Sequence, residues 1–173
     1  IDPELDSEGY TLIKDGRIYS VRSGGHRGLI YGSFRLIYIF KTKGLGGDFK
    51  LECKPHSPIR MADHWDNMDG SIERGYSGAS FFFKDNKVVV NERTADYARL
   101  MASIGINAVA INNVNVRGEA AFLLTERHRS QLIRLAEILD GWGISLYLSI
   151  NFASTIRVGG MDTADPADSA AKA

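Results

Sequence analysis

The sequence predicts an α/β protein in which a small α+β unit is followed by strands and helices that alternate along the chain. Three observations carry this reading. Residues 1–54 hold short alternating runs around one apolar segment. From Ile59 onward the apolar period switches back and forth between strand and helix. Three of the later strands end in the same polar residue types. The 173 residues are 44% hydrophobic and 24% charged, the composition of an ordinary globular protein. Lys plus Arg balance Asp plus Glu at 21 each, so neither nucleic acid nor a membrane surface is expected as a partner. No apolar run has the length of a membrane span; the longest candidate, residues 29–40, is interrupted by Gly32, Ser33 and Arg35. With one cysteine, Cys53, an internal disulfide and a cysteine zinc site are both excluded. The unpaired thiol favours a cytoplasmic location.

Residues 9–13 and 17–22 alternate apolar and polar around Asp15-Gly16, a hairpin signal. Residues 23–28, Ser-Gly-Gly-His-Arg-Gly, lack the Gly-Lys-Ser/Thr ending of a phosphate loop and read as a strand-to-helix turn. The apolar segment 29–40 is then a helix with hydrophobic residues on several faces, expected to be buried. A linker at 42–47 and a strand at 48–55 complete the first unit. Beyond it, strands are predicted at 59–65, 108–114 and 144–152. Between the first two, Tyr97, Leu100, Met101 and Ile104 form the stripe of a helix over 91–104, ended by Gly105. Between the second and third, Leu132, Leu135, Ala136 and Leu139 mark a helix over 126–140, capped by Thr125 and stopped by Gly141. Trp142, beside that stop, reads as packing. Apolar strands alternating with amphipathic helices predict a parallel sheet covered by helices.

In such sheets ligands bind at the carboxyl ends of the strands. Here the three ends read His64-Trp65-Asp66-Asn67, Asn112-Asn113-Val114-Asn115 and Asn151-Phe152-Ala153-Ser154. Either the asparagines cap the following turns, or the three ends share a site. An indole offers a face on which a sugar ring can stack, and amides supply paired donors and acceptors for hydroxyls. The composition of these ends therefore favours a carbohydrate or another polyol, with Trp65, Asp66, Asn113, Asn115 and Asn151 as the candidate binding residues. Other chemistries fit less well. His26, His56, His64 and His128 have no metal-ligand spacing, and a calcium loop around Asn67-Met68-Asp69-Gly70 fails at Trp65 and Tyr76. There is no Gly-x-Ser-x-Gly elbow. Asp66, Asp69 and Glu73 could include an acid/base pair; for Glu73 and Arg74 the preferred reading is a loop scaffold in which the two pair.

The run His64-Trp65-Asp66-Asn67-Met68-Asp69-Gly70-Ser71-Ile72-Glu73-Arg74-Gly75-Tyr76 resembles the signature of the α-glucuronidases of glycoside hydrolase family 67. Gly105-Ile106-Asn107 leading into Asn112-Asn113-Val114-Asn115 resembles the family's second barrel strand. The run from Tyr147 to Ser154 resembles its third, and Thr163-Ala164-Asp165-Pro166 the segment after it. The hairpin at Gly9-Tyr10 and the run Gly28 to Phe34 resemble the end of the family's N-terminal domain. What the resemblance implies is part of a TIM (β/α)8 barrel, about three strands, preceded by part of a small α+β domain. The implied division is 1–54 for the first domain and 55–173 for the barrel part. The implied activity is removal of 4-O-methyl-glucuronic acid from xylo-oligosaccharides by cleavage of an α-1,2 bond with inversion. No metal or organic cofactor is implied; the partner is a glucuronoxylan-derived oligosaccharide, and the full enzyme is expected to be a homodimer. Trp65 matches a tryptophan lining the uronic-acid pocket, and Asn113 and Asn115 match positions at its mouth.

The family's general acid, its carboxylate base and the basic residues that hold the uronic carboxylate are matched nowhere in residues 1–173, and are expected beyond residue 173. Three strands fall short of a complete barrel of eight. The expectation is therefore a piece of a larger enzyme, inactive and poorly stable alone because an open sheet edge and an apolar face stay uncovered. Family members work both inside the cell and outside it. The alternative, from a different class, is a non-catalytic carbohydrate-binding or structural module derived from a glycosidase. A further alternative is another glycosidase family with the same small N-terminal domain.

Overall fold

The computed structural model describes residues 1–44, 46–151, 154–165 and 167–169. Two compact units are interleaved in sequence. The first comprises Ile1–Met61, Ala95–Ala108 and Leu139–Ser145; the second holds Ala62–Thr94, Val109–Ile138 and the chain from Leu146 onward.

In the first unit, β1 (Tyr10–Asp15) pairs antiparallel with β2 (Ile18–Arg22) and with β3 (Phe49–Cys53), giving the order β2-β1-β3. Asp15 faces Ile18, so the two-residue turn is Gly16-Arg17, one step later than the Asp-Gly pair expected. Helix α1 (His26–Lys43) begins three residues earlier than predicted and packs on β1 and β2. Its close approach rests on Gly28 and Gly32, one turn apart. A Cβ on Gly28 would stand 2.0 Å from Ser23 Oγ and 2.2 Å from the Gly9 carbonyl oxygen; one on Gly32 would stand 2.6 Å from Val21 Cγ1. The expected burial of this helix on all sides is not found. Tyr31 is 7% exposed, but Ile37, Tyr38 and Phe40 lie on an exposed face. The alternating pattern of β1 points Leu12 inward together with Lys14, whose ammonium reaches Asp48 Oδ1 at 3.4 Å.

A second sheet has the order β4-β7-β8, from β4 (Met61–Asp63), β7 (Ala108–Ala110) and β8 (Ser145–Tyr147). Asn107 N donates to Arg60 O, and further along His64 N donates to Ala110 O. The partner numbers rise together, so β4 and β7 run the same way. All three strands are shorter than the sequence predicted. Beyond them the segments stay together through an isolated backbone bond, Asn113 N to Asp66 O at 2.8 Å, and through the side-chain amide of Asn112 on Ser149. Residue 152, placed in the third predicted strand, lies outside the described residues, as do residues 45, 153, 166 and 170–173.

Helix α2 (Glu92–Ser103) is shifted by about a residue at each end, and its buried stripe is not the predicted one. Thr94, Ala98 and Ala102 are buried, whereas Leu100 and Ile104 are exposed. Small side chains at i, i+4 and i+8 let a helix sit closer than leucines do. Helix α3 (Glu126–Asp140) has the expected bounds, and Leu132, Leu135 and Leu139 are buried as expected. The Thr125 hydroxyl turns back to Phe122 O at 2.7 Å. The stop is Gly143 and not Gly141. Gly143, at φ 72°, donates to Asp140 O, and Ile144 N donates to Leu139 O, the paired bonds of a glycine-terminated helix. Gly105, at φ 82°, ends α2 in the same way, through Ala102 O and Met101 O. Trp142 packs on Phe34, with ring centroids 6.0 Å apart.

The second unit also holds a hairpin that the sequence reading passed over. Strands β5 (Phe83–Lys84) and β6 (Lys87–Val88) are joined by Asp85 and Asn86, both at positive φ. Asp and Asn are the non-glycine residues that tolerate this tight turn. Phe82 and Phe83 anchor the hairpin, at 0% and 1% exposed. A 3-10 turn (Gly118–Phe122) and a short helix α4 (Ser154–Arg157) complete the unit.

Candidate functional site

A cavity of about 610 Å³ opens in the second unit, at the ends of β4 and β7. Its wall is built by the loop after β4, the segment after β7 and the tip of the β5–β6 hairpin. Four carboxylates line it, Asp66, Asp69, Glu73 and Glu119, together with two guanidinium groups, Arg74 and Arg117. The amides are Asn67, Asn86, Asn112, Asn113 and Asn115. Of the five residues the sequence singled out, Asp66, Asn113 and Asn115 line this cavity, and Trp65 and Asn151 do not. Trp65 is 43% exposed and donates its indole N–H to Asp63 Oδ2 at 3.2 Å. Asn151 donates to Val116 O at 2.6 Å and lines a small apolar cavity with Leu124 and Ile150.

Most of the polar wall is already engaged by the protein. Asp66 is 2% exposed; one oxygen accepts the Ser80 hydroxyl at 2.5 Å and the Phe81 N–H at 2.9 Å. That carboxylate folds the distant end of the loop back onto its start. Its other oxygen lies 4.0 Å from His64 Nδ1. Burial pushes the His64 imidazole below its ordinary value, outweighing the upward pull of Asp66 and Asp63, so this ring is neutral at pH 7. Asp69 accepts both the hydroxyl and the N–H of Ser71, which hold it below the usual carboxylate range. Glu119 is held low first by a hydrogen bond from His128, itself 6% exposed, and then by Arg127.

The asparagines behave likewise. Asn112 exchanges two bonds with the backbone of Ser149, Nδ2 to O at 2.9 Å and N to Oδ1 at 2.8 Å. Its amide thus replaces a backbone pair after β7 has ended. Asn113 Oδ1 accepts from Asn115 N and Nδ2, while its own Nδ2 donates to Glu73 O at 3.3 Å. Three of its four hydrogen-bonding positions are therefore filled. The amides of Asn112 and Asn113 thus hold the turns that follow β7, in residues that also line the cavity.

Glu73 is the strained point of the loop after β4. Its φ is 55°, a region that side-chain-bearing residues rarely occupy. Three bonds fix it there. Its N–H donates to Trp65 O at 2.8 Å, and its carbonyl accepts from Asn67 at 2.8 Å and from Asn113. The Gly75 N–H closes the turn onto Ile72 O. The Glu73 carboxylate accepts from the Ser77 hydroxyl and pushes the Tyr76 phenol up through a hydrogen bond. The loop-scaffold reading holds for Glu73, but its expected pairing with Arg74 does not: among the described residues Arg74 has no ion pair. No group of three metal-ligating side chains occurs among the described residues.

The family model for the glycosyl hydrolase family 67 middle domain matches residues 41–173. The chain belongs to glycoside hydrolase family 67. Among curated relatives of this family 67 chain, alpha-glucuronidase A of Aspergillus tubingensis is 41% identical over 167 residues, 96% of this chain and 19% of the relative. The probable alpha-glucuronidase A of Aspergillus terreus is 39% identical over 170 residues, again 96% of this chain and 19% of the relative. The chain thus spans about a fifth of the length of the curated relatives it matches. Two solved structures share the fold at 16% identity. One, a GH138 enzyme targeting pectin rhamnogalacturonan II, has a TM-score of 0.52 over 82% of this chain and 18% of its own. The other, a beta-N-acetylhexosaminidase, has a TM-score of 0.53 over 90% of this chain and 37% of its own.

Proposed function

We propose that this chain is part of an inverting α-glucuronidase that removes (4-O-methyl-)glucuronic acid from xylo-oligosaccharides, and that it supplies one wall of the sugar pocket. The reading rests on family membership joined to one observation, the polar cavity of about 610 Å³ at the ends of β4 and β7. That volume accommodates a sugar ring with its substituents. In this reading residues 55–173 form the first part of a (β/α)8 barrel and residues 1–54 the end of the preceding domain. No general acid or base is assigned here, because the carboxylates of this wall are committed to holding their own loops. Inversion needs two carboxyl groups set apart with a water between them, and that pair belongs to other parts of the enzyme. Asp66, Asn113 and Asn115 shape the pocket, Trp65 offers an exposed ring for stacking, and Asn151 fixes the segment after β8.

The test is an assay of the intact protein on xylo-oligosaccharides carrying 4-O-methyl-glucuronic acid, with the anomer of the released acid followed by NMR. Release of the β-anomer first is expected. Sugar binding without release would favour the non-catalytic module instead. Within an active enzyme, Trp65→Ala should weaken substrate binding by about 1–3 kcal/mol, the scale of lost aromatic burial and stacking. Unchanged KM and kcat would remove Trp65 from the site.

A further inference from the structure

We infer that a cavity on one face of α1 is a binding site for a small planar anion, an aromatic carboxylate, whose charge is held by Arg35. The cavity measures about 370 Å³ and lies wholly within the first unit. That volume is at the small end of the range for small-molecule sites. Three observations lead to this ligand.

The first is the composition of the walls. Tyr31, Phe34, Arg35 and Tyr38 stand at i, i+3, i+4 and i+7, so they form one stripe of α1. Tyr10 of β1 adds a fourth aromatic ring. Tyr31 is 7% exposed and Tyr38 51%, so the rings run from a closed end to an open one. Among the described residues no aspartate, glutamate, asparagine or glutamine lines this cavity. A neutral sugar needs such acceptors for its hydroxyls as well as a ring to stack on. The charged lining is guanidinium alone, from Arg35 and Arg60.

The second observation is availability. Arg60 is committed to the fold. Its Nε donates to Gly105 O and its Nη1 to Ser57 O, each at 2.6 Å, while Nη2 reaches Glu8 at 2.7 Å and Tyr31 Oη at 3.1 Å. Arg35 lies over the Tyr38 ring, 5.2 Å from the centroid, and makes no hydrogen bond or ion pair among the described residues. Stacking fixes the plane of a guanidinium and leaves its edge donors free. Two of those donors match the two oxygens of a carboxylate.

The third observation is that the phenol beside this charge does not neutralise it. Burial, and then the Cys53 thiol, push the Tyr10 phenol up to about 12, against a downward pull from Arg35. Tyr10 therefore stays neutral at pH 7, and the pull puts the charge of Arg35 within reach of its ring. The site offers aromatic faces for a ring and one unspent fork for its carboxylate.

Equilibrium dialysis of the intact protein against 4-hydroxybenzoate, 4-hydroxybenzamide and acetate tests this, with Arg35→Gln and Tyr38→Leu as variants. The unsubstituted protein should bind the aromatic acid at least about tenfold more tightly than the amide or acetate, a comparison that needs no variant. Arg35→Gln should weaken the acid by roughly 10- to 100-fold, the worth of a charge-assisted bond pair, and the amide by less than about threefold. Tyr38→Leu should weaken acid and amide alike, by about 2- to 10-fold, the scale of a lost ring contact. No uptake of the acid, an amide bound as tightly, or an acid preference that survives Arg35→Gln would each overturn the inference. Displacement of the acid by a neutral xylo-oligosaccharide would overturn it too, by making the rings a platform for sugar. The glucuronidase reading stands or falls on its own assay.

Discussion

At residue scale the sharpest feature is the conflict at Glu73 between backbone preference and position. A side-chain-bearing residue at φ 55° costs on the order of 1 kcal/mol or more. Glycine takes that conformation freely. Glu73→Gly should therefore raise the stability of the intact protein by about 0.5–1 kcal/mol, read as a higher urea midpoint. The same substitution removes the carboxylate that is bonded to Ser77 and pushes the Tyr76 phenol up, so the Tyr76 titration should fall back towards its ordinary value. A lower midpoint would mean that the side-chain bonds of Glu73 matter more than its backbone. None of this strain was legible in the sequence. Ile72-Glu73-Arg74-Gly75 offers glycine at the end of the turn, and Gly75 does adopt positive φ, at 96°; Glu73 adopts it too, two residues earlier, where the Asn67 and Asn113 amides reach its carbonyl from elsewhere in the chain.

At element scale the helix ends separate what sequence shows from what it hides. Two glycines follow α3, and both look like stops. Only Gly143 adopts positive φ, and a Cβ there would also meet Arg27 Cγ at 2.7 Å. Gly143→Ala should cost about 1–2 kcal/mol. Gly141→Ala should be neutral or stabilising by up to about 1 kcal/mol. Thermal unfolding of the two variants of the intact protein checks the contrast, and equal effects would refute the assignment of the helix stop. The leucine stripe of α3 was plain in the sequence because three large residues at helical spacing admit one buried face. That of α2 was misread because Leu100 and Ile104 are exposed, Tyr97 and Met101 are half-buried, and its fully buried face is built from Thr94, Ala98 and Ala102. Strand bounds were overestimated for a related reason. Apolar character continues past Ala110 into Ile111, but the pairing beyond it is made by Asn112, which alternation of hydrophobicity does not report. The candidate site was legible as a set of polar strand ends. Which amides line the cavity and which hold the fold elsewhere depended on tertiary partners.

At the scale of the whole molecule, β7 is bracketed by two asparagines that act as extra backbone. Beyond its carboxyl end Asn112 binds Ser149. Before its amino end Asn107 accepts from Arg60 N at 2.8 Å and donates to Pro58 O at 2.8 Å. The amino-end tie continues into an ionic network within the first unit. Glu8 accepts from Arg27 and Arg60, each at 2.7 Å, and from Asn107. Each arginine also donates to the carbonyl of a helix-stopping glycine, Arg27 to Gly143 and Arg60 to Gly105. One carboxylate from the N-terminal segment thus joins the ends of two helices. Burial raises the Glu8 carboxyl, but the bonds from Arg60, Arg27 and Asn107 outweigh it and hold the group below its ordinary 4.5. A depressed folded value means stability that is present above the unfolded value and lost as pH falls through the folded one. Glu8→Gln should lower stability at pH 7 by roughly 1–3 kcal/mol, the worth of charged hydrogen bonds. The difference between the unsubstituted protein and Glu8→Gln should then shrink as pH drops below 4.5. Asp6, held down to about 2 chiefly by Lys54, and Asp48, held low by Gly16 and Lys14, titrate in the same direction. Both remain in the variant, so the difference curve isolates Glu8. Urea midpoints of the two proteins across acidic pH decide it, and a difference that stays constant on acidification would show that the charge of Glu8 contributes nothing to joining these helix ends.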